Sequence, residues 1–397
     1  MLANVAGITI LIVWKSMTMA NPAQRATKLF VQTFGTTADE LYQAPGRINI
    51  IGEHSDYNEG LVLPVAINFH TVIAVKHRDD YQFRAVSDAF PGQIEQWEFG
   101  NEGNIDDDGL WFNYLKGITA AMAQSGLSAK GLDLAIVGNV PLGAGLSSSA
   151  ALEIAFGTAI SYADQLHLSP LAIAQIAQRA ESQLMRQQCG IMDQMISALA
   201  ESDHALLIDC LALDSEPVKL PDSLSLIVID PQIDRKKFTA QFAERRQECF
   251  EIADILGLDS LRDLTHLQLQ RAKQSLTETQ YHRALHVMTE SQRTASAARA
   301  LQENNMPRFS ELMRHSQHSL RENFDAVDPQ ADKLVTLIDE LIGDNGGVRM
   351  SDGCIIALVD HSLTDDVINL VEQAFFKQTG RDAVIHLCSA SSGASRL

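Results

Sequence analysis

The chain has 397 residues, 46% of them hydrophobic, with a mean hydropathy of −0.04, which describes a globular protein with material for two or three cores and a default of two domains. A formal charge of −19 argues against nucleic acid or an anionic membrane surface as the main partner, because both are polyanions, and means that an anionic substrate needs a local positive site. Five cysteines, an odd number without CxxC spacing, point to thiols in a reducing, cytoplasmic setting rather than to disulfides or a zinc site.

In chain order, the apolar run Leu2 to Trp14 is too short to span a bilayer, and no basic segment precedes it as in a signal peptide. It reads as a non-functional extension over residues 1–19, with Met17 or Met19 as the functional start. A short amphipathic helix is expected over Pro22 to Phe34. There follows Ala44-Pro-Gly-Arg-Ile-Asn-Ile-Ile-Gly-Glu-His-Ser-Asp-Tyr-Asn58, in which the alternation around Arg47 to Ile50 is strand-like and Gly52 breaks it. Glu53, His54 and Asp56 then crowd a strand end, a set that suits a ligand rich in hydroxyls such as a sugar; an ordinary charged turn explains the same segment. Strands are expected at Leu61–Ile67, Thr71–Lys76 and Phe83–Val86, a solvated acidic loop at Asp106–Asp108, and a helix at Leu110–Ala123, with Trp111 read as core.

After the apolar run Leu132 to Val137 comes Pro141-Leu-Gly-Ala-Gly-Leu-Ser-Ser-Ser-Ala-Ala-Leu-Glu153. This is a strand, a glycine loop and a helix start in succession. Gly143 and Gly145 allow close backbone approach and positive φ, and Ser147 to Ser149 can cap a helix whose first N–H groups and positive dipole end favour phosphate. A glycine turn before a capped core helix is the plainer reading. No Gly-Lys pair occurs, which weakens the case for a Walker loop, and Ser148 stands where a dinucleotide fingerprint needs a third Gly or Ala, although Asp164 lies at the distance such a fingerprint requires and keeps that option open. The next helix, Ser169–Gln187, carries Glu181 near its C-terminal end, unfavourable for a carboxylate unless a cation compensates. Cys189-Gly-Ile-Met-Asp-Gln194 then opens a helix to Leu199. Asp193 there either stabilises the helix N-terminus or deprotonates a hydroxyl nucleophile beside the phosphate site.

In the second half, Asp209–Glu216 is expected as a linker, followed by a strand Leu226–Ile229 and a helix Thr239–Leu256 with Glu244, Arg245 and Arg246 on its exposed side. Helices Leu267–Asn304, Pro307–Phe324 and Lys333–Ile342 come next. Strands Val348–Met350 and Cys354–Val359, a helix Asp365–Gln378 and a strand Ala383–Leu387 close the chain. Alternation without regular βαβ units implies an α+β architecture with a cleft between the halves, 20–212 and 213–397.

The segments 44–58, 141–153 and 189–194 together resemble galactokinase of the GHMP kinase superfamily, over almost the whole chain from about Ala20 to Cys388. The resemblance implies the two-domain fold of that superfamily, with a mixed sheet plus helices in each domain. It also implies ATP-dependent transfer of the γ-phosphoryl group to the 1-hydroxyl of α-D-galactose, with Mg2+ as cofactor and a monomeric enzyme. By the same resemblance Asp193 is the catalytic base and Arg47 the cation that stabilises the transition state. Glu53, His54, Ser55, Asp56, Gly190 and Phe242 are then sugar contacts, Gly143, Ala144, Gly145, Leu146, Ser147, Ser148 and Ser149 the nucleotide loop, and Ser149 and Glu181 the magnesium ligands, with Ser148 the alternative serine. Two departures stand out. Phe242 aligns with a sugar-contacting tyrosine, and Ser351-Asp352-Gly353 replaces a glycine-rich turn longer by about four residues. The shorter turn makes a catalytically weak galactose and ATP sensor the alternative; a different small-molecule kinase of the same fold is disfavoured by Glu53-His54-x-Asp56-Tyr57.

Overall fold

The computed structural model describes residues 21–105, 111–141, 143–184 and 189–397; the expectations for residues 1–19 and 106–108, and Leu142 of the glycine loop, lie outside them. The first helix runs Pro22–Phe34, started by Asn21, whose side chain accepts from the Ala23 amide, with Pro22 at its first position, and stopped by Gly35 in the left-handed conformation.

The strands are β1 (Glu40–Asn49), β2 (Leu61–Val62), β3 (Pro64–His77), β4 (Gln82–Ser87), β5 (Glu95–Glu98), β6 (Leu132–Gly138), β7 (His204–Asp209), β8 (Asp214–Lys219), β9 (Leu224–Asp230), β10 (Gly346–Ser351), β11 (Cys354–Asp360), β12 (Val384–Cys388) and β13 (Ser395–Arg396). They form a six-stranded sheet ordered β13-β1-β3-β6-β4-β5, a four-stranded sheet ordered β10-β11-β9-β12 and a small sheet β2-β7-β8. The first is mixed, because β4 runs parallel to β6; the others are antiparallel.

Side chains of β3 alternate as a pleated strand requires. Ile73 and Val75 enter the large core with helices Phe112–Gln124, Ser148–Ala163, Pro170–Leu184 and Met192–Leu199, whereas Val72 and Ala74 meet Ala26 and Phe30 of the first helix on the other face. A second core lies between the four-stranded sheet and the helices of the second half. A third core joins the halves: Ile48, Ile50, Leu63 and Val65 from the first pack with Val228, Leu301, Phe309, Ile356 and Leu358 from the second. The α+β architecture expected from sequence is therefore present.

Several local expectations need correction. The strands expected at Leu61–Ile67 and Thr71–Lys76 divide elsewhere: Leu61–Val62 is β2, and β3 runs unbroken from Pro64 to His77 because Asn68 and His70 find partners, the Asn68 amide donating to Ser389 O at 3.1 Å and the His70 amide to Asn139 Oδ1 at 2.6 Å. The stretch 209–216 is the turn and return strand of the β7–β8 hairpin. The helix expected over 267–304 is two, His266–Ala272 and Glu278–Gln302, since Thr277 and Gln280 form a capping box that starts the second afresh. Arg245 and Arg246 on the helix Arg235–Leu256 are buried, not exposed. Arg245 donates to Phe324 O at 2.9 Å and to Asp325 Oδ2 at 3.0 Å, partners from a distant segment that helical periodicity cannot reveal.

Candidate active site

The register of β1 against β3 shifts between Pro45 and Arg47. Such an irregularity re-aims side chains, and here the Arg47 amide donates to Leu146 O at 3.1 Å, across to the glycine loop. The Arg47 side chain is 6% exposed. Its Nε donates to Asp193 Oδ1 at 2.7 Å, its Nη2 to Asp193 Oδ2 at 2.7 Å and its Nη1 to Gly145 O at 2.9 Å. A planar guanidinium gripping a carboxylate by two parallel bonds fixes both groups in position as well as in charge. Asp193 lies in the first turn of the helix Met192–Leu199, yet its carboxylate is spent on Arg47 and on the Ser147 hydroxyl, which donates to Oδ2.

The glycine loop takes the backbone conformation its sequence suggests, with Gly143 at φ 69° and Gly145 at φ 74°. Gly145 is also constrained by space: a Cβ there would stand 2.3 Å from Asp352 O. The serines do not cap the following helix. Ser147 is itself left-handed at φ 56° and makes no side-chain cap bond, because its hydroxyl goes to Asp193. Ser149 Oγ donates to Glu181 Oε1 at 3.2 Å, and Glu181 Oε2 accepts from Gln194 Nε2 at 2.7 Å. Ala144 and Leu146 are buried in the core between the halves. A cavity of about 380 Å3 is lined by Gly143, Gly145 to Ser149, Arg47 and Asp193. Beyond Ser148 and Ser149 a cavity of about 300 Å3 continues to Phe90 and Trp111, whose rings stack at 6.0 Å and 12°.

On the other side of Arg47 a cavity of about 230 Å3 is lined by Glu53, His54, Asp56, Glu181, Gly190, Asp193, Phe242 and Arg246. That is below the roughly 300–1,000 Å3 of pockets for larger ligands, a size for a small molecule. Gly190 is obligatory: a Cβ would meet Asp56 Oδ2 at 1.9 Å. His54 lies between Phe242 and Phe324, with ring centroids 4.6 and 4.4 Å away, and its Nδ1 meets the Tyr57 hydroxyl at 2.8 Å. Ser55 is buried in the turn, its carbonyl accepting from Gly60 N at 2.8 Å, and does not line the cavity. Both oxygens of Glu53 are engaged by β10 and the turn after it: Oε2 accepts from Arg349 Nη2 at 3.0 Å and Ser351 Oγ at 2.8 Å, Oε1 from the Asp352 amide at 3.0 Å.

The shortened turn is a two-residue hairpin. Ser351 pairs with Cys354, and Asp352 at φ 47° and Gly353 at φ 77° are both left-handed, the Asp-Gly chemistry of a type I′ turn. It carries the Asp352 carboxylate to 2.7 Å from Arg47 Nη2. Asp352 lines both the small cavity and the one along the glycine loop.

Crowded carboxylates shift one another. Burial, and then the Asp193 charge, push Asp56 up to about 6 and also raise Glu181. Burial and then Glu181 push Glu153, wholly inaccessible behind Glu181, well above the usual carboxylate range. Burial keeps His54 neutral, helped by the nearby His286 and Arg349. Sequence reading passed over Asp352, Glu153 and the cavity-lining Arg246 as site residues; Trp111, expected as core, is buried in the large core and also lines the cavity beyond Ser149. Only Asp352 left a sequence trace, in the turn it occupies.

Comparison with known proteins agrees with this geometry. Residues 28–77 match the galactokinase galactose-binding signature and residues 113–201 the GHMP kinases N terminal domain. A galactokinase of Lactococcus lactis complexed with galactose is similar at 28% identity and a TM-score of 0.88, over 95% of this chain and 100% of that one. The mevalonate kinase of Methanococcus jannaschii, at 16% identity and a TM-score of 0.59 over 89% and 98% of the two chains, shares the fold. So does a D-glycero-D-manno-heptose 1-phosphate kinase, at 15% identity and a TM-score of 0.59 over 90% and 98%. Fold and loop define a GHMP kinase. Within that class, the signature around Arg47 and the similarity over 95% of the chain are those of a galactokinase.

Proposed function

We propose that the protein transfers the γ-phosphoryl group of ATP to the 1-hydroxyl of α-D-galactose, releasing ADP. The observation that carries the reading is the Arg47–Asp193 pair, held by two 2.7 Å bonds where the small cavity meets the glycine loop. Phosphoryl transfer needs positioning and charge neutralisation more than covalent chemistry. Asp193 accepts the hydroxyl proton, and Arg47 fixes the Asp193 carboxylate in place and faces the charge that builds on the transferred group. His54, Asp56, Gly190 and Phe242 shape the sugar side, and Glu53 positions the turn against it. Gly143 to Ser149 supply the phosphate side, while Phe90 and Trp111 offer an aromatic slot for the base of the nucleotide.

Mg2+ fits the residues present. Among the described residues no three His, Cys, Asp or Glu are grouped to hold a metal alone; one carboxylate and one hydroxyl suit an ion that fills its octahedron with phosphate oxygens and water. Glu181 with Ser149 provides that pair, and a carboxylate raised by burial and then by the Asp193 charge is one that a cation relieves. Bound there, the ion would neutralise phosphate charge. We place the cleft between the halves 20–212 and 213–397. No described helix is long and apolar enough to cross a membrane, and the cysteines, none of them in a disulfide among the described residues, support a reducing cytoplasm.

The second reading, a galactose and ATP sensor with weak turnover, is favoured by one observation, the Asp352 carboxylate on Arg47. Coupled measurement of ADP release across several sugars separates the two. Galactose-dependent release at several turnovers per second supports the kinase; binding of both ligands with turnover slower by a thousandfold or more supports the sensor.

A further inference from the structure

We propose that Asp352 is a built-in competitor of the substrate phosphate, its carboxylate occupying the position on Arg47 that an anionic phosphoryl oxygen of ATP would take. The inference rests on the phosphoryl-transfer reading of the site and concerns how this chain tunes it. Arg47 Nη2 is the atom it contests. That nitrogen already donates to Asp193 Oδ2 at 2.7 Å, and Asp352 Oδ2 stands at the same distance on it. Nε gives its one hydrogen to Asp193 and Nη1 gives one of its two to Gly145 O, so an anion that seeks Nη2 has to meet Arg47 on the face Asp352 covers. The carboxylate also lines the cavity formed by Gly143 and Gly145 to Ser149, which puts a negative charge beside the expected phosphates.

The competitor is held firmly from behind. Glu53 Oε1 accepts from the Asp352 amide, Glu53 Oε2 accepts from Ser351 Oγ and Arg349 Nη2, and Asp352 O packs against Gly145. The two-residue turn has no slack with which to swing away. Relief therefore comes from loss of charge or from displacement of the side chain. Charged groups facing Asp352 are Arg47 from β1, Glu53 and Asp56 from the loop after it, and Asp193 from the helix Met192–Leu199, with Glu181 and Arg246 across the small cavity. Burial raises its carboxyl to about 7, against the attraction of Arg47 and with the help of Glu53, Asp193 and Asp56. Competition should therefore strengthen as the pH rises through neutrality.

The test compares the full chain with Asp352→Asn, which keeps the shape and tolerates a left-handed backbone, and with a variant carrying the longer glycine-rich turn in place of residues 351–353. Dissociation constants for ATP with Mg2+ are measured by calorimetry from pH 5.5 to 8.5, without sugar, and the ratio of parent to variant cancels the titration of ATP itself. The ratio should be near one at pH 5.5 and reach about tenfold at pH 8.5, the parent binding more weakly. A ratio within twofold at every pH, or weaker binding by Asp352→Asn, overturns the inference and leaves Asp352 a turn residue or a holder of Arg47. If the pH pattern appears but galactose yields no ADP, the galactokinase reading fails while the competition stands; if no version binds ATP at any pH, both fall. Should Asp352→Asn fold poorly, the turn-replaced variant decides.

Discussion

Arg47 and Asp193 are 146 residues apart in sequence and joined by two bonds of 2.7 Å, so base and cation act as one unit. Replacing Asp193 by Asn keeps the shape and removes the proton acceptor. kcat should fall by a factor of about 10²–10⁴, the usual worth of a general base, with galactose affinity within threefold by calorimetry. Turnover within about threefold of the parent would remove Asp193 from this role.

Glu181→Gln removes the carboxylate assigned to Mg2+ and keeps an acceptor for the Ser149 hydroxyl. The Mg2+ concentration for half-maximal ADP release should rise by at least about tenfold, and ATP binding measured without Mg2+ should weaken less than threefold. An unchanged Mg2+ titration would exclude Glu181 as a ligand.

Phe242 lines both cavities and lies 4.6 Å from the His54 ring. Phe242→Tyr adds one hydroxyl at the wall of the sugar cavity. A hydrogen bond of about 1 kcal/mol corresponds to a KM for galactose lower by up to about fivefold, with kcat little changed. A KM that stays or rises means the hydroxyl has no partner in this chain.

His286 gives the fold a pH dependence of definite sign. Glu53 O can only accept, so Nε2 at 3.1 Å carries the proton and Nδ1 accepts from Ser319 Oγ at 3.0 Å. Burial is the main cause of its depression from 6.5 to about 4. Between those values the unfolded chain binds more protons than the native one, so stability is present above pH 6.5 and is lost as the pH falls toward 4. Thermal denaturation from pH 4 to 7.5 should show this slope, and His286→Gln should flatten it. A slope identical in the variant would assign the acid lability to other groups.

Arg349 has no exposed surface and donates to Glu53 at 3.0 Å. Removing one member of a buried pair typically costs about 3–5 kcal/mol because the other charge remains buried. Arg349→Ala should therefore lower Tm by many degrees while Arg308→Ala, a pair with Glu311 that is 47% exposed on both sides, barely moves it. Equal small shifts would contradict the picture of Glu53 held by β10.

The sequence disclosed what depends on local pattern and left out what depends on distant partners. The glycine positions, the strand before the loop and the helices at Pro22–Phe34 and Met192–Leu199 follow from turn chemistry and periodicity. The division of labour among three consecutive serines does not, because Ser147 is claimed by Asp193 and Ser149 by Glu181, residues far along the chain. Arg245 and Arg246 mislead for the same reason. Charged residues in an amphipathic pattern read as solvated until a carbonyl such as Phe324 O turns up beside them. The turn at 351–353 reads from sequence as a deletion, and only the pairing of Ser351 with Cys354 shows that it is a complete hairpin aimed at Arg47.

The short strand β13 pairs Ser395 with Gln43 and Arg396 with Tyr42 on the outer edge of β1, and Gln43 bonds Ser395 across 352 residues. During synthesis the first half emerges long before that partner does, so the strand bearing Arg47 must wait with an open edge while the second half is made. Contacts of such separation are slow to form, and exposed edges recruit other chains. Residues 20–212 made alone would keep that edge open permanently, and should self-associate more readily than the whole chain.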